Sequence, residues 1–259
     1  QNESPFDVPE TLKDEILNTV RNKPWSRYPE PMPMDLVNAF ANHVGADPDG
    51  ILVSNGSNTL VQLILGVISA PNADVVIPSP SFSLYGMYTN VFSGNVISVP
   101  LTADYRFDVP AIQKAIQGEN VRLAILCSPN NPTGCSISND ELDTLLSNTN
   151  ALVMVDEAYG EFYDQTAIDL LPKHPNLIIL KTFSKAFGAA GVRMGYLIAH
   201  PSVRNEIIKG KIPFDINVFS HTAALAILKQ KDLINERIGF ICAERDRVYQ
   251  ALIQMEGVT

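Results

Sequence analysis

Apolar positions in this chain fall into short continuous runs, separated by stretches in which they recur at helical spacing. Leu12, Ile16, Leu17 and Val20 repeat at the period of one helix face and predict a helix over Thr11–Val20. Prolines at 29, 31 and 33 then impose an extended segment from Tyr28, because a fixed φ and a missing N–H exclude regular structure. Helical spacing returns over Met34–Val44. From Ile51 the chain alternates. Ile51-Leu-Val-Ser, Asp74-Val-Val-Ile, Val96-Ile-Ser-Val, Arg122-Leu-Ala-Ile-Leu-Cys, Ala151-Leu-Val-Met-Val, Asn176-Leu-Ile-Ile-Leu and Leu197-Ile-Ala predict strands. Ser57–Ala70, Val109–Gln117 and Asp140–Ser147 predict helices between them, the last with Ser138 as a candidate cap. From Val203 onward the chain reads as mainly helical.

Strands that are apolar from end to end are buried on both faces. Their alternation with helices predicts an α/β fold, a mostly parallel sheet sandwiched by helices. In such sheets ligands bind outside the carboxyl ends of the strands. The residues that follow each strand are therefore the candidates for a site.

Composition narrows the function classes. With 259 residues, 46% apolar and 18% charged, the chain can bury the core of one large α/β domain and is not disordered. The formal net charge of -9, with no clustered Lys or Arg, argues against a nucleic-acid groove. Three cysteines, Cys127, Cys135 and Cys242, form no C-x-x-C pair; this disfavours a disulfide framework or a zinc knuckle and points to a reducing cytoplasm. The apolar run Thr59–Ala70 is too short to span a bilayer, and no signal peptide is visible, although the chain opens at Gln1 and reads as trimmed. No metal site is expected. None of the four histidines is spaced from an acid and a serine as a triad requires.

Four strand ends carry unusual residues. After Ile51–Ser54 comes Asn55-Gly56-Ser57-Asn58, a tight turn into a helix start whose free N–H groups can hold an anion. After Cys127 comes Ser128-Pro-Asn-Asn-Pro-Thr-Gly, a loop fixed by two prolines that presents Asn131 to a cleft. Asp156 follows an apolar strand, so its carboxylate is expected to be partly buried and in need of a partner. Last comes Lys181-Thr-Phe-Ser-Lys-Ala-Phe-Gly, which sets Lys185 in apolar, glycine-rich surroundings. A desolvated lysine has a lowered pKa and attacks carbonyls. Arg193, eight residues on, offers a fork for phosphate. Each segment alone also has a purely structural reading, as a cap, a turn or a loop tie. In one chain, in this order, they describe pyridoxal 5′-phosphate (PLP): a lysine for its aldehyde, a cradle for its phosphate, an Asn and a Tyr for its phenolic oxygen, and an Asp for its ring nitrogen.

Asn131-Pro-Thr-Gly, Asp156-Glu-Ala-Tyr and Ser184-Lys185 followed by Arg193 resemble the fold-type I, class I/II aminotransferases over roughly Tyr28–Thr259. Arg27-Tyr-Pro-Glu-Pro, Asp156-Glu-Ala-Tyr-Gly-Glu-Phe and Thr182-Phe-Ser-Lys-Ala-Phe resemble the histidinol-phosphate branch of that family. The resemblance implies that Lys185 forms a Schiff base with PLP and later moves the proton. It implies that Asp156 pairs with the ring nitrogen, that Asn131 and Tyr159 bond the phenolic oxygen, and that Phe82 stacks on the ring. Ser57, Asn58, Thr182, Ser184 and Arg193 would hold the phosphate. Tyr28 would reach the neighbouring subunit's site, so a homodimer is implied, with Trp25 anchoring the arm. Asn2 would belong to a substrate-side segment. A small-molecule amino donor, histidinol phosphate, and a 2-oxo acid, 2-oxoglutarate, would be the substrates. Other implied readings are threonine-phosphate decarboxylase, an aromatic or broad-specificity aminotransferase, and a non-catalytic module of the same fold. The expected organisation is an arm at 1–27, a PLP-binding large domain at 28–229, and at 230–259 the helical start of a small carboxyl-terminal domain. Most of that domain lies outside this sequence, and with it the arginine expected to bind substrate.

Overall fold

The computed structural model describes residues 2–68 and 72–257. Gln1 and the last two residues of the proposed terminal segments lie outside the described residues, as do Ser69 and Ala70 at the end of the helix predicted from Ser57.

Among the described residues, seven strands form one sheet: β1 (Ile51–Ser54), β2 (Asp74–Ser79), β3 (Asn95–Pro100), β4 (Val121–Cys127), β5 (Leu152–Asp156), β6 (Leu177–Thr182) and β7 (Gly195–Ala199). Their order is β1-β7-β6-β5-β4-β2-β3. β7 runs antiparallel to both β6 and β1, and the other pairs are parallel. Six strands thus point the same way, as a mostly parallel sheet requires. The reversal of β7 is not predicted, since an apolar run carries no sign of its direction.

The helices are α1 (Glu10–Arg21), α2 (Met34–Val44), α3 (Ser57–Ile68), α4 (Leu84–Val91), α5 (Val109–Ile116), α6 (Asn139–Ser147), α7 (Pro201–Ile207), α8 (Val218–Leu228) and α9 (Lys231–Leu252). Local chemistry sets several boundaries. Ser138 and Glu141 close a reciprocal capping box on α6. Asp108 caps α5, and Gly45, at φ 72, ends α2 in the left-handed region. α4 is not predicted by the sequence pattern. It is eight residues long and buries only Tyr85 and Thr89, too few to make an apolar stripe.

The sheet separates two cores. Val53, Ala124, Val155, Ile179 and Ile198 face one, with Leu36, Phe40, Ile112 and Leu145 from helices. Leu52, Val75, Ile125, Met154, Ile178 and Leu197 face the other, with Leu60, Ile64 and Leu65 of α3 and Tyr85 of α4. Neighbouring strand residues thus go to opposite layers, and every residue of β6 is buried. Register aligns the strand ends. Cys127 lies beside Asp156, and Gly195 pairs with both Ser54 and Thr182. The turns after β1, β2, β4, β5 and β6 consequently open at one edge of the sheet.

Candidate active site

At that edge lies a cleft of about 800 Å³. Ser57 and Asn58 enter it from the start of α3, Phe82 from the turn after β2, and Asn131 from the loop after β4. Asp156 and Tyr159 enter from the end of β5, and Thr182, Ser184 and Lys185 from the end of β6. Arg193 enters from the turn into β7. All ten candidate residues expected from one subunit therefore line a single space. Tyr28 does not: it is 83% exposed on the outside, and its ring lies 4.9 Å from that of Phe214.

Asp156 is buried. Its Oδ1 accepts from the Ala158 N–H at 3.0 Å and its Oδ2 from the Tyr85 hydroxyl at 2.8 Å. Burial raises its pKa above the usual carboxylate range, and those two hydrogen bonds oppose the rise. The next residue, Glu157, points away from the cleft and forms an ion pair with Lys181 at 2.8 Å; it also accepts from the Ala167 N–H at 2.6 Å. Lys181 meets Glu161 as well, at 3.3 Å. This buried cluster ties the Asp156–Glu161 segment to β6, which fixes Tyr159 at the cleft.

Lys185 is half-buried, and desolvation lowers its pKa while Glu3 and Asp156 pull it upward. Its Nζ donates to the Asn2 carbonyl at 3.2 Å and sits 5.5 Å from the centre of the Tyr159 ring. The Asn2 amide donates to the Tyr159 hydroxyl at 3.1 Å. The amino-terminal segment thus lies against the lysine and Tyr159.

The anion cradle is built by close packing. Gly56 has φ +91, and a Cβ there would stand 2.5 Å from Nη2 of Arg193. A Cβ on Gly195 would stand 2.4 Å from the backbone nitrogen of Ser57. The two glycines let the guanidinium and β7 close on the start of α3, where unpaired N–H groups and the helix dipole favour an anion. The Thr182 and Ser184 hydroxyls, 3.1 Å apart, line the same wall.

Tyr85 is the residue at this site that sequence reasoning missed. It stands three positions after Phe82, and the two rings meet edge to face at 5.4 Å. Phe82 precedes α4, and that short helix writes no apolar stripe, so the sequence pattern carried no signal for Tyr85. Cys127 is buried beside it, and burial pushes its thiol up to about 12.

This donor set fits PLP. The buried carboxylate draws its hydrogen bonds from a neutral phenol and an amide, which suits it to meet a cationic ring nitrogen. The Arg193 fork and the start of α3 suit a phosphate. Among the described residues no group of His, Cys, Asp and Glu could hold a metal ion, and no helix is long and apolar enough to cross a membrane.

Known proteins resemble the chain along its length. The family model "Aminotransferase class I and II" matches residues 1–258. Histidinol-phosphate aminotransferase of Chlorobaculum tepidum is 41% identical, over 100% of this chain and 74% of its own length. That of Chlorobium chlorochromatii is 40% identical, over 100% and 72%. Histidinol-phosphate aminotransferase of Sinorhizobium meliloti, solved in complex with pyridoxal-5'-phosphate, superposes with a TM-score of 0.90 at 27% identity, over 98% of this chain and 70% of that one.

Proposed function

The chain belongs to the aminotransferase class I and II family, and from that premise we propose that it binds PLP at Lys185 and moves the amino group of histidinol phosphate to 2-oxoglutarate. The family's reaction is transamination, and the curated relatives named above are histidinol-phosphate aminotransferases. One juxtaposition carries the assignment of roles. A lysine amine lowered in pKa and a buried carboxylate share a cleft with an arginine and a helix start.

Arg193, the N–H groups at Ser57 and Asn58, and the hydroxyls of Thr182 and Ser184 would hold the phosphate. Asp156 would keep a proton on the ring nitrogen. Asn131 and Tyr159 would bond the phenolic oxygen, and Phe82 would cover one ring face. When bound, PLP supplies an electron-withdrawing ring that draws density from the substrate's α-carbon. Lys185 Nζ takes the proton from that carbon. Desolvation lowers its pKa, which favours the free base that a general base requires. Asn2 and Tyr159, joined by their hydrogen bond, would stand on the substrate side of that amine.

The working unit we propose is a homodimer, with Tyr28 reaching the partner's phosphate site and Trp25 fixing the arm. Its location would be the cytoplasm, where three free thiols are kept reduced. The test is a product assay with PLP, histidinol phosphate and 2-oxoglutarate. Glutamate should form. Glutamate from an aromatic amino acid but not from histidinol phosphate would overturn the donor, and carbon dioxide from threonine phosphate would reveal a decarboxylase.

A further inference from the structure

Buried tyrosines are commonly core residues whose hydroxyl has found any acceptor. Tyr85 differs in where its hydroxyl goes. It is 1% exposed, sits in the first turn of α4, and donates at 2.8 Å to Oδ2 of Asp156, the buried carboxylate that lines the cleft. The packing would be served by Phe; only the hydroxyl reaches Asp156. The ring itself is held. Phe82 meets it edge-on, Leu60 and Ile64 belong to the same core, and the Tyr85 carbonyl accepts from the Thr89 hydroxyl at 2.8 Å.

The geometry of the carboxylate gives this bond a consequence. An Asp at the end of a strand turns about two side-chain bonds. Here Oδ1 is fixed by the Ala158 N–H and Oδ2 by the Tyr85 phenol. With both oxygens held, the plane of the carboxylate is set before any ligand arrives. An ionised carboxylate has about four lone-pair sites, so acceptor capacity remains to face the cleft. We propose that Tyr85 is a positioning residue for Asp156: its phenol fixes the carboxylate in the orientation in which it meets the ring nitrogen of PLP. The inference rests on the reading of Asp156 given above.

The chemistry of the pair supports this. Burial and the nearby Asp156 and Cys127 hold the Tyr85 phenol well above its ordinary pKa, so it stays a donor. Burial also works against the charge on Asp156, and a hydrogen bond to the charged form opposes that. One hydroxyl thus both aims the carboxylate and favours the ionised form that a cationic ring nitrogen needs. α4 links two functions in one turn, since Phe82, at its entry, is the residue expected against the ring.

The test is a double-mutant cycle read by titrating the apo protein with PLP alone, using wild type, Tyr85→Phe, Asp156→Asn and the double variant. A hydrogen bond to a charged group is worth roughly ten- to hundredfold in an equilibrium constant. Tyr85→Phe should therefore raise the PLP dissociation constant by roughly tenfold or more, while the apo protein still unfolds cooperatively. The double variant should bind no more weakly than Asp156→Asn, because the phenol acts through the carboxylate. Losses that add across the cycle, or Tyr85→Phe binding PLP as wild type does, overturn the inference. Wild type that takes up no PLP would instead remove the parent reading of Asp156. Should Tyr85→Phe fail to fold, 3-fluorotyrosine at position 85 keeps size and hydroxyl but makes a stronger donor. PLP should then bind more tightly, and an unchanged dissociation constant would overturn the inference.

Discussion

Lys185 and Asp156 depart from their ordinary acidities in ways that make opposite demands on pH. Desolvation lowers the Lys185 pKa, so its free amine appears below the range of an exposed lysine. Attachment of PLP to the apo protein should rise with pH through a midpoint below the ordinary lysine value of 10.5. Lys185→Ala should give no yellow protein at any pH. Burial raises the Asp156 pKa, so its proton returns above the usual carboxylate range. PLP affinity should fall as pH drops through that raised value, and affinity that stays flat down to the ordinary range would contradict the role. For the apo fold the sign reverses. A carboxyl with a raised folded pKa contributes stability below its unfolded value and loses it as pH rises through the folded one. Both residues were legible in sequence because each is a charge standing at the end of, or just after, an apolar strand. Tyr85 was not, because a tyrosine among Ser, Leu and Gly marks neither a strand end nor a helix face.

At the scale of elements, the cradle depends on how closely α3, β7 and the Arg193 turn approach. Gly56→Ala places a Cβ against the guanidinium and costs about 1–2 kcal/mol for a left-handed residue. PLP affinity should fall by roughly tenfold or more as the charge-assisted contact is lost. Gly45→Ala is the control: at φ +72 it is strained alike, but its Cβ would meet nothing within 4 Å. It should lower stability and leave PLP affinity intact; a titration of each variant separates the two effects. Strands and long helices were readable because burial on both faces writes continuous apolar runs and the amphipathic helices write a period. The short α4 and the direction of β7 were not. Neither their period nor their composition records what they pack against, and the close approach at Gly56 and Gly195 is a tertiary fact.

For the whole molecule, the arm carrying Trp25 and Tyr28 is the feature that one chain leaves unexplained. Trp25 is 74% exposed, yet its indole N–H donates to the Val20 carbonyl at the end of α1 at 2.9 Å. Tyr28 and Phe214 are exposed with their rings in contact, and Ile212, two residues before Phe214, is exposed as well. Such rings in water are expected at an interface between subunits. Trp25→Ala should shift sedimentation toward a monomer, and an unchanged dimer would count against the anchoring role. The division near residue 230 is also a proposal. α9 buries only Ile234 among its 22 residues and exposes Phe240, Val248 and Tyr249, as a helix belonging to another unit would.

PLP held at Lys185 is expected to accept the amino group of histidinol phosphate. The most direct test is the visible absorption of the purified protein with PLP, before and after histidinol phosphate is added without any 2-oxo acid. A yellow band is expected that is lost in Lys185→Ala and bleaches with histidinol phosphate, then returns when 2-oxoglutarate is supplied. A band that histidinol phosphate leaves unchanged, while another amine bleaches it, would contradict the donor; no band at all would contradict the site.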